Sequence, residues 1–110
     1  MARREAAVRF GKRDEGTWIE ARGRVVRLLT DDHEVARHQR FVVRTAAGQD
    51  LLIAHNLEVS GRVPVGMADR VSFRGVYAWN DLGGTVHWTH HDPRGEEEGG
   101  WIEFRRRRYD

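Results

Sequence analysis

The chain contains no cysteine, which excludes disulfide bonds, thiolate metal ligands and thiol catalysis. It also lacks any apolar run near the roughly 18 residues that a membrane-spanning helix needs. Its N-terminal Met-Ala-Arg-Arg-Glu is followed by no apolar segment typical of an export signal. The net charge is also small, because 19 basic residues nearly balance 17 acidic ones. We therefore expect a cytoplasmic protein that has no membrane partner and is stabilised by packing alone.

Apolar and polar residues alternate with a period of two along most of the chain, and glycine-containing segments interrupt the alternation. This pattern predicts strands over residues 17–30, 38–45, 50–55, 70–79 and 85–90, with a short sixth strand over 101–104. Residues 46–49 and 80–84 are typical of hairpin loops. Residues 56–67 form a connector long enough to cover one end of a barrel. Gly23 predicts a bulge or bend within the first strand.

The order of these elements is a three-stranded meander, a connector and a hairpin, which suits a small OB-like barrel. We therefore predict an all-β protein in which residues 16–110 form a single domain, a five- to six-stranded OB-like barrel. Residues 1–15 are predicted to be a charged N-terminal arm. In this topology the third strand runs parallel to the fifth and antiparallel to the second. The ends of strands that are distant in sequence would then meet at one rim.

Histidines and polar neighbours are concentrated at the strand ends that this rim would bring together. The candidate ligand-binding residues are His38, Arg40, His55, Asn56, Trp88, His90, His91 and Asp92. A divalent metal bound by His38, His55 and His90 would fit the rim. His91 could replace His90, and Asp92 could be a fourth ligand or support the others. The spacing matches no established zinc signature, and we favour the interpretation that His38 and His55 bond to backbone groups at the strand ends.

Four motifs support a resemblance to a known family. They are HQRF at 38–41, AHN at 54–56, GGTVHWTHHDP at 83–93 and GGWI at 99–102. They resemble those of an uncharacterised family of small bacterial proteins, classed as a domain of unknown function. The resemblance extends over residues 16–109, nearly the whole chain. It implies one compact domain and no established activity, and it also implies that many relatives carry an export signal.

The first functional interpretation is a ligand-binding module, since OB barrels bind oligonucleotides and oligosaccharides. Arg40 and Arg44 on the second strand would contact phosphate groups. Trp88 fits either a stacking platform or the core, whereas Trp79 is predicted to pack in the core with Tyr77. The expected partner is nucleic acid or another anionic ligand.

Two alternatives stay open. The first is a metal-dependent phosphodiester hydrolase. Its candidate residues are Asp31, Asp32 and Asp92 as metal ligands, Arg40 for the phosphate, and His38 or His90 as general base. The second alternative is a structural or protein-interaction domain. The arginine run at 105–108 is predicted to be a solvated tail.

Overall fold

Seven β-strands and one short 3-10 helix make up the computed structural model, which describes residues 8–110. The strands are β1 (Trp18–Leu28), β2 (His38–Thr45), β3 (Asp50–Asn56), β4 (Arg70–Ala78), β5 (Thr85–His87), β6 (Trp101–Phe104) and β7 (Arg107–Tyr109). The predicted all-β class is confirmed, and residues 1–7 of the predicted N-terminal arm lie outside the described residues. Among residues 8–110, no helix has the length and hydropathy of a membrane span.

The first five strands close into a barrel because β1 pairs antiparallel with both β2 and β4. β3 is antiparallel to β2 and parallel to β5, and β5 is antiparallel to β4, which completes the circle. This is the strand order and direction predicted for the barrel. β6 and β7 extend the sheet outward from β4, since β6 pairs with β4 and β7 pairs with β6.

The barrel interior is filled by one face of the alternating pattern, because successive side chains of a strand point to opposite sides of the sheet. The largest fully buried apolar side chains are Tyr77, Phe41, Phe73, Leu51, Ile53 and Ile102. The hydroxyl of Tyr77 donates to the carbonyl oxygen of Gly83 at 2.7 Å. Its polar end is therefore paired within the protein.

The connector between β3 and β4 covers one end of the barrel, as its length predicted. Val63, at its middle, is 1% exposed and belongs to the core. The side chain of Gln39 fixes it with two bonds, in which Nε2 donates to the Val63 carbonyl at 2.7 Å and Oε1 accepts from the Val63 amide at 2.8 Å. A buried backbone segment thus keeps both of its polar groups satisfied.

Two strand predictions were wrong in detail. β5 ends at His87 rather than at residue 90, because Trp88 adopts a positive φ of 60° that takes the chain out of the ladder. The bulge in β1 lies between Val25 and Arg27 rather than at Gly23. Gly23 instead permits close contact between strands, since a Cβ there would lie 2.2 Å from the carbonyl oxygen of Arg44.

Trp79 is not a core residue, contrary to the prediction. β4 ends at Ala78, and the next residue, Trp79, is 39% exposed. Its amide donates to Oε1 of Glu15 at 2.8 Å, and Nζ of Lys12 lies 4.7 Å from its ring centroid. The segment before β1 therefore holds the end of β4 on the surface and supplies a cation for the exposed ring.

The arginine run at 105–108 is not a solvated tail but the turn and last strand of a hairpin. Arg105 and Arg106 have φ values of 50° and 66°, and Arg107 and Arg108 follow in β7. Positive φ at both central residues is the requirement of a type I′ turn, which Asn-Gly usually meets. No asparagine or glycine marks this turn, so its sequence contains no hairpin signal.

We expect the Arg106→Gly variant to be more stable than the parent. An L-residue in the left-handed region costs about 1–2 kcal/mol, a penalty that glycine avoids, although glycine also gives the unfolded chain more freedom. The free energy of unfolding in urea should rise by about 1 kcal/mol. Arg107→Gly, which places glycine in the extended β7, should be less stable than the parent. A less stable Arg106→Gly variant would contradict the turn assignment.

Candidate anion-binding groove

His55 lies inside one end of the barrel and is 0% exposed. Its Nε2 is 3.0 Å from the carbonyl oxygen of Gly61, and its Nδ1 is 2.8 Å from Oγ1 of Thr89. A carbonyl oxygen can only accept, so Nε2 carries the proton and the hydroxyl of Thr89 donates to Nδ1. Both ring nitrogens are thus used within the protein, and burial of the ring favours its neutral form.

His38 lies on the neighbouring strand but on the opposite face. It is paired with Asn56, whereas His55 is paired with Gln39, and consecutive residues of a strand face opposite sides. The Nδ1 atom of His38 lies 2.9 Å from the carbonyl oxygen of Ala36. The predicted rim therefore exists, but it separates these two histidines. Both bond to backbone carbonyls, in agreement with the interpretation that we favoured.

The other rim residues organise the chain after β5. His90 is 5% exposed, and its Nδ1 lies 2.6 Å from the carbonyl oxygen of His91. The carboxylate of Asp92 accepts three backbone N–H bonds of 2.9–3.0 Å, from Arg94, Glu96 and Glu97. These bonds, that of Arg94 first, lower the pKa of Asp92. Asp92 therefore acts as the cap of a loop.

The two aspartates before β2 are likewise engaged by their surroundings. Asp31 accepts from Arg62 at 2.5 Å and from Arg37 at 3.0 Å, and the bond from Arg62 is the main reason that the pKa of Asp31 is lowered. Oδ1 of Asp32 accepts from the backbone amide of Glu34 at 3.0 Å. Both carboxylates fix the β1–β2 loop.

The structure assembles no metal centre from these residues. Among residues 8–110, no group of three or more His, Asp or Glu side chains could hold a metal ion. His38, His55 and His90 are therefore not joined in one site. Arg40, predicted to contact phosphate, donates its Nε–H to the carbonyl oxygen of Thr30 at 3.0 Å. The rim is a network of structural bonds.

A different cluster of charge lies on the outer face of the barrel, where three arginines occupy directly opposed positions on three neighbouring strands. Arg24 on β1 is paired with Arg44 on β2 and with Arg70 on β4. Opposed residues have Cβ atoms about 4.5–5.5 Å apart, and like charges at such positions destabilise a sheet. This row of arginines therefore opposes the pairing that closes the barrel.

The row lies in a surface groove of about 750 Å³. Six arginines and one glutamate line it, so the groove is strongly positive although the whole chain is nearly neutral. These charged lining residues are Arg22, Arg24, Arg44, Arg70, Arg105, Arg106 and Glu103. We call this concave surface the arginine groove.

The charges of the groove differ in whether residues 8–110 supply them with a carboxylate partner. Arg44 forms a two-bond ion pair with Asp50, at 2.8 and 3.1 Å, which raises the pKa of Arg44 and lowers that of Asp50. In the part of the chain that the structure describes, no carboxylate lies within ion-pair distance of Arg24, Arg70 or Arg106. These three guanidinium groups can accept an external anion without first breaking an ion pair.

Sequence reasoning included Arg44 among the phosphate contacts but did not find the groove. The signals were present, since Arg22 and Arg24 share the polar face of the first strand and Arg70 begins the fourth. These residues become neighbours of Arg44 only through the register of β1 with β2 and β4. No local pattern contains that register.

Trp88, which the sequence left open between the core and a stacking platform, is 40% exposed. Its ring lies 6.5 Å from that of Trp18 in an edge-to-face arrangement, and 5.2 Å from the ring of His90, nearly parallel to it. The guanidinium carbon of Arg74 lies 4.7 Å from the Trp18 ring centroid. We call these four side chains the aromatic cluster.

A family model described as "Protein of unknown function (DUF3465)" matches residues 4–110 of the chain. The match spans almost the whole sequence and confirms the resemblance to a domain of unknown function. No curated protein and no solved structure matches the chain. A function must therefore be inferred from the geometry.

The buried His55 predicts a loss of stability in mild acid. Burial lowers the pKa of His55 to about 4, from its ordinary value of 6.5. Between these two pH values the unfolded chain binds a proton that the folded chain does not. The free energy of unfolding should therefore fall as the pH falls from about 6.5 to about 4, by up to about 3 kcal/mol.

The matched control is His55→Gln, whose amide can still donate to Gly61 but does not titrate. Its free energy of unfolding should be lower than that of the parent at pH 7 and should change less down to pH 4. Denaturant unfolding at several pH values measures both curves. Parallel curves would show that His55 does not cause the acid sensitivity.

Proposed function

Because the chain belongs to DUF3465, a family of proteins of unknown function, we propose its function from the site itself: it is a binding module for phosphate-bearing polyanions, above all nucleic acid. The observation that supports this proposal is the row formed by Arg44, Arg24 and Arg70. The planar guanidinium group presents donors that match two phosphate oxygens at once.

Arg24 and Arg70, which have no carboxylate partner within residues 8–110, favour the binding of an external anion. Arg24 and Arg70 repel each other across β1 and β4 in the free protein, and an anion placed between them would replace this repulsion by attraction. A volume of about 750 Å³ exceeds what one phosphate group fills, so several phosphates can bind together. The groove lies on the surface of the barrel, where a large ligand can reach it.

The two other interpretations have less support. A metal-dependent phosphodiester hydrolase needs a cluster of metal ligands, and within residues 8–110 no group of three or more His, Asp or Glu side chains could hold a metal ion. The rim that was its candidate site has its polar groups bonded internally, as with His55. The third interpretation is a protein-interaction domain, and the arginine groove favours a polyanionic ligand over it.

Binding of a single-stranded oligonucleotide across a series of salt concentrations tests the proposal. The logarithm of the affinity should fall linearly with the logarithm of the salt concentration, with a slope of about 0.7 for each phosphate neutralised. Arg24→Gln and Arg70→Gln should each weaken binding about tenfold and reduce that slope by about 0.7.

Arg94→Gln is the control, since Arg94 lies in the loop capped by Asp92 and does not line the groove. It removes the same charge and should change affinity little. Equal losses in all three variants would indicate a general charge effect. Full binding by Arg24→Gln would reject the groove.

The same substitution should affect stability in the opposite direction. Arg24→Gln removes a charge that faces Arg44 and Arg70, so the free energy of unfolding should rise by up to about 1 kcal/mol at low salt. The gain should shrink in 1 M salt, where the screening length is only about 3 Å. Arg44→Gln, which also breaks the pair with Asp50, should gain less. A destabilised Arg24→Gln variant would contradict the like-charge interpretation.

A further inference from the structure

Trp88 has an unfavourable backbone conformation and an exposed side chain. Its φ of 60° lies in the left-handed region, which bulky residues rarely adopt. Forty per cent of the residue is nevertheless exposed, so burial of the indole does not explain the strain. Strained residues of this kind are concentrated at sites that bind ligands.

The protein beneath Trp88 holds it in this conformation. The next residue, Thr89, is fully buried and donates its hydroxyl to His55. Gly100 packs closely against the backbone of Trp88, since a Cβ added to Gly100 would lie 2.2 Å from the carbonyl oxygen of Trp88. The amide of Gly100 donates to the carbonyl oxygen of His90 at 2.7 Å. The indole is therefore presented on a fixed support, which lowers the entropy lost when a ligand binds.

The outer face of β4 connects the aromatic cluster to the arginine groove. Arg70 and Ser72 line the groove, Arg74 belongs to the cluster, and Val76 is paired with Trp18. These alternate residues share one side of the strand. Val76 lies six residue steps beyond Arg70, a path of about 20 Å at about 3.3 Å per step. A single strand of a few nucleotides, with its bases not stacked on each other, would cover this distance.

The charges near the aromatic cluster differ from those of the groove. Arg74 lies 3.6 Å from a carboxylate oxygen of Glu20 and 3.8 Å from one of Glu98. The two carboxylates repel a phosphate group at this end of the path. An uncharged flat ring carries no such penalty and can stack on the exposed indole of Trp88.

From this combination we infer that Trp88 is a stacking platform for a nucleobase, and that the ligand of this protein is a single-stranded nucleic acid. The inference rests on the proposed function, since the phosphates of the same strand occupy the arginine groove. A duplex is a poor ligand, because its bases are stacked on each other and their faces are not available. A polyanion without bases fills only the groove.

The test compares three probes: a single-stranded oligothymidylate, an abasic oligonucleotide of the same length, and inorganic polyphosphate with the same number of phosphates. The parent should bind the oligothymidylate more tightly than the other two. Trp88→Ala should weaken oligothymidylate binding about 5- to 150-fold. Its salt slope and its affinity for polyphosphate should equal those of the parent, because the arginines are intact.

Trp79→Ala is the matched control, since Trp79 is 39% exposed and lies near Lys12, outside the aromatic cluster. It should bind every probe as the parent does. Trp88→Phe keeps a flat ring and serves if the alanine variant does not fold. Trp88→Phe should retain most of the affinity for oligothymidylate. The quenching of tryptophan fluorescence by the bound oligonucleotide should be smaller than in the parent, because Trp88 no longer contributes to it.

The outcomes separate the two proposals. Equal affinity of the parent for oligothymidylate and polyphosphate, unchanged in Trp88→Ala, would reject stacking and leave the arginine groove as a general polyanion site. Failure of the parent to bind any of the three probes would reject the groove and, with it, the stacking platform. Loss of oligothymidylate binding alone in Trp88→Ala would support both.

Discussion

The close contact between β1 and β2 at Gly23 is the constraint on which the rest of the structure depends. A Cβ at this position would lie 2.2 Å from a carbonyl oxygen of β2, so only glycine lets the two backbones pair here while β1 also pairs with β4. The next residue is Arg24, which the same pairing places between two other arginines. The same strand pairing therefore closes the barrel and brings the arginines of the groove together. The favourable free energy of burying the core compensates for the repulsion between these arginines.

Much of the fold could be predicted because it follows from local alternation. The bounds of β2, β3 and β4 were correct to within one residue, since each strand buries one face and exposes the other. The parallel pairing of β3 with β5 followed from the order of the elements. The cap over the barrel end followed from the length of the connector, and Val63 within it is buried.

The remaining features depend on relations that no local pattern contains. The arginine row forms only through the register of three strands. In the sequence, Arg24 cannot be distinguished from any other exposed residue of a half-buried strand. The turn of the last hairpin is formed by Arg105 and Arg106, which adopt positive φ although neither is glycine. Trp88 continues an alternating pattern in the sequence but leaves the strand. The histidines did converge on one end of the barrel. The alternation of side chains along the strands, however, places His55 inside the barrel and His38 outside.

The last hairpin has a further consequence for how copies of the chain meet. Within the described residues β7 pairs only with β6, so its outer edge presents backbone groups to which a strand of another molecule could bond. Arg107 and Arg108 lie on this strand, and charged side chains along an edge disfavour the pairing of two such edges. The arginine-rich hairpin therefore contributes Arg105 and Arg106 to the arginine groove and Arg107 and Arg108 to an edge strand whose charge disfavours pairing with a second copy.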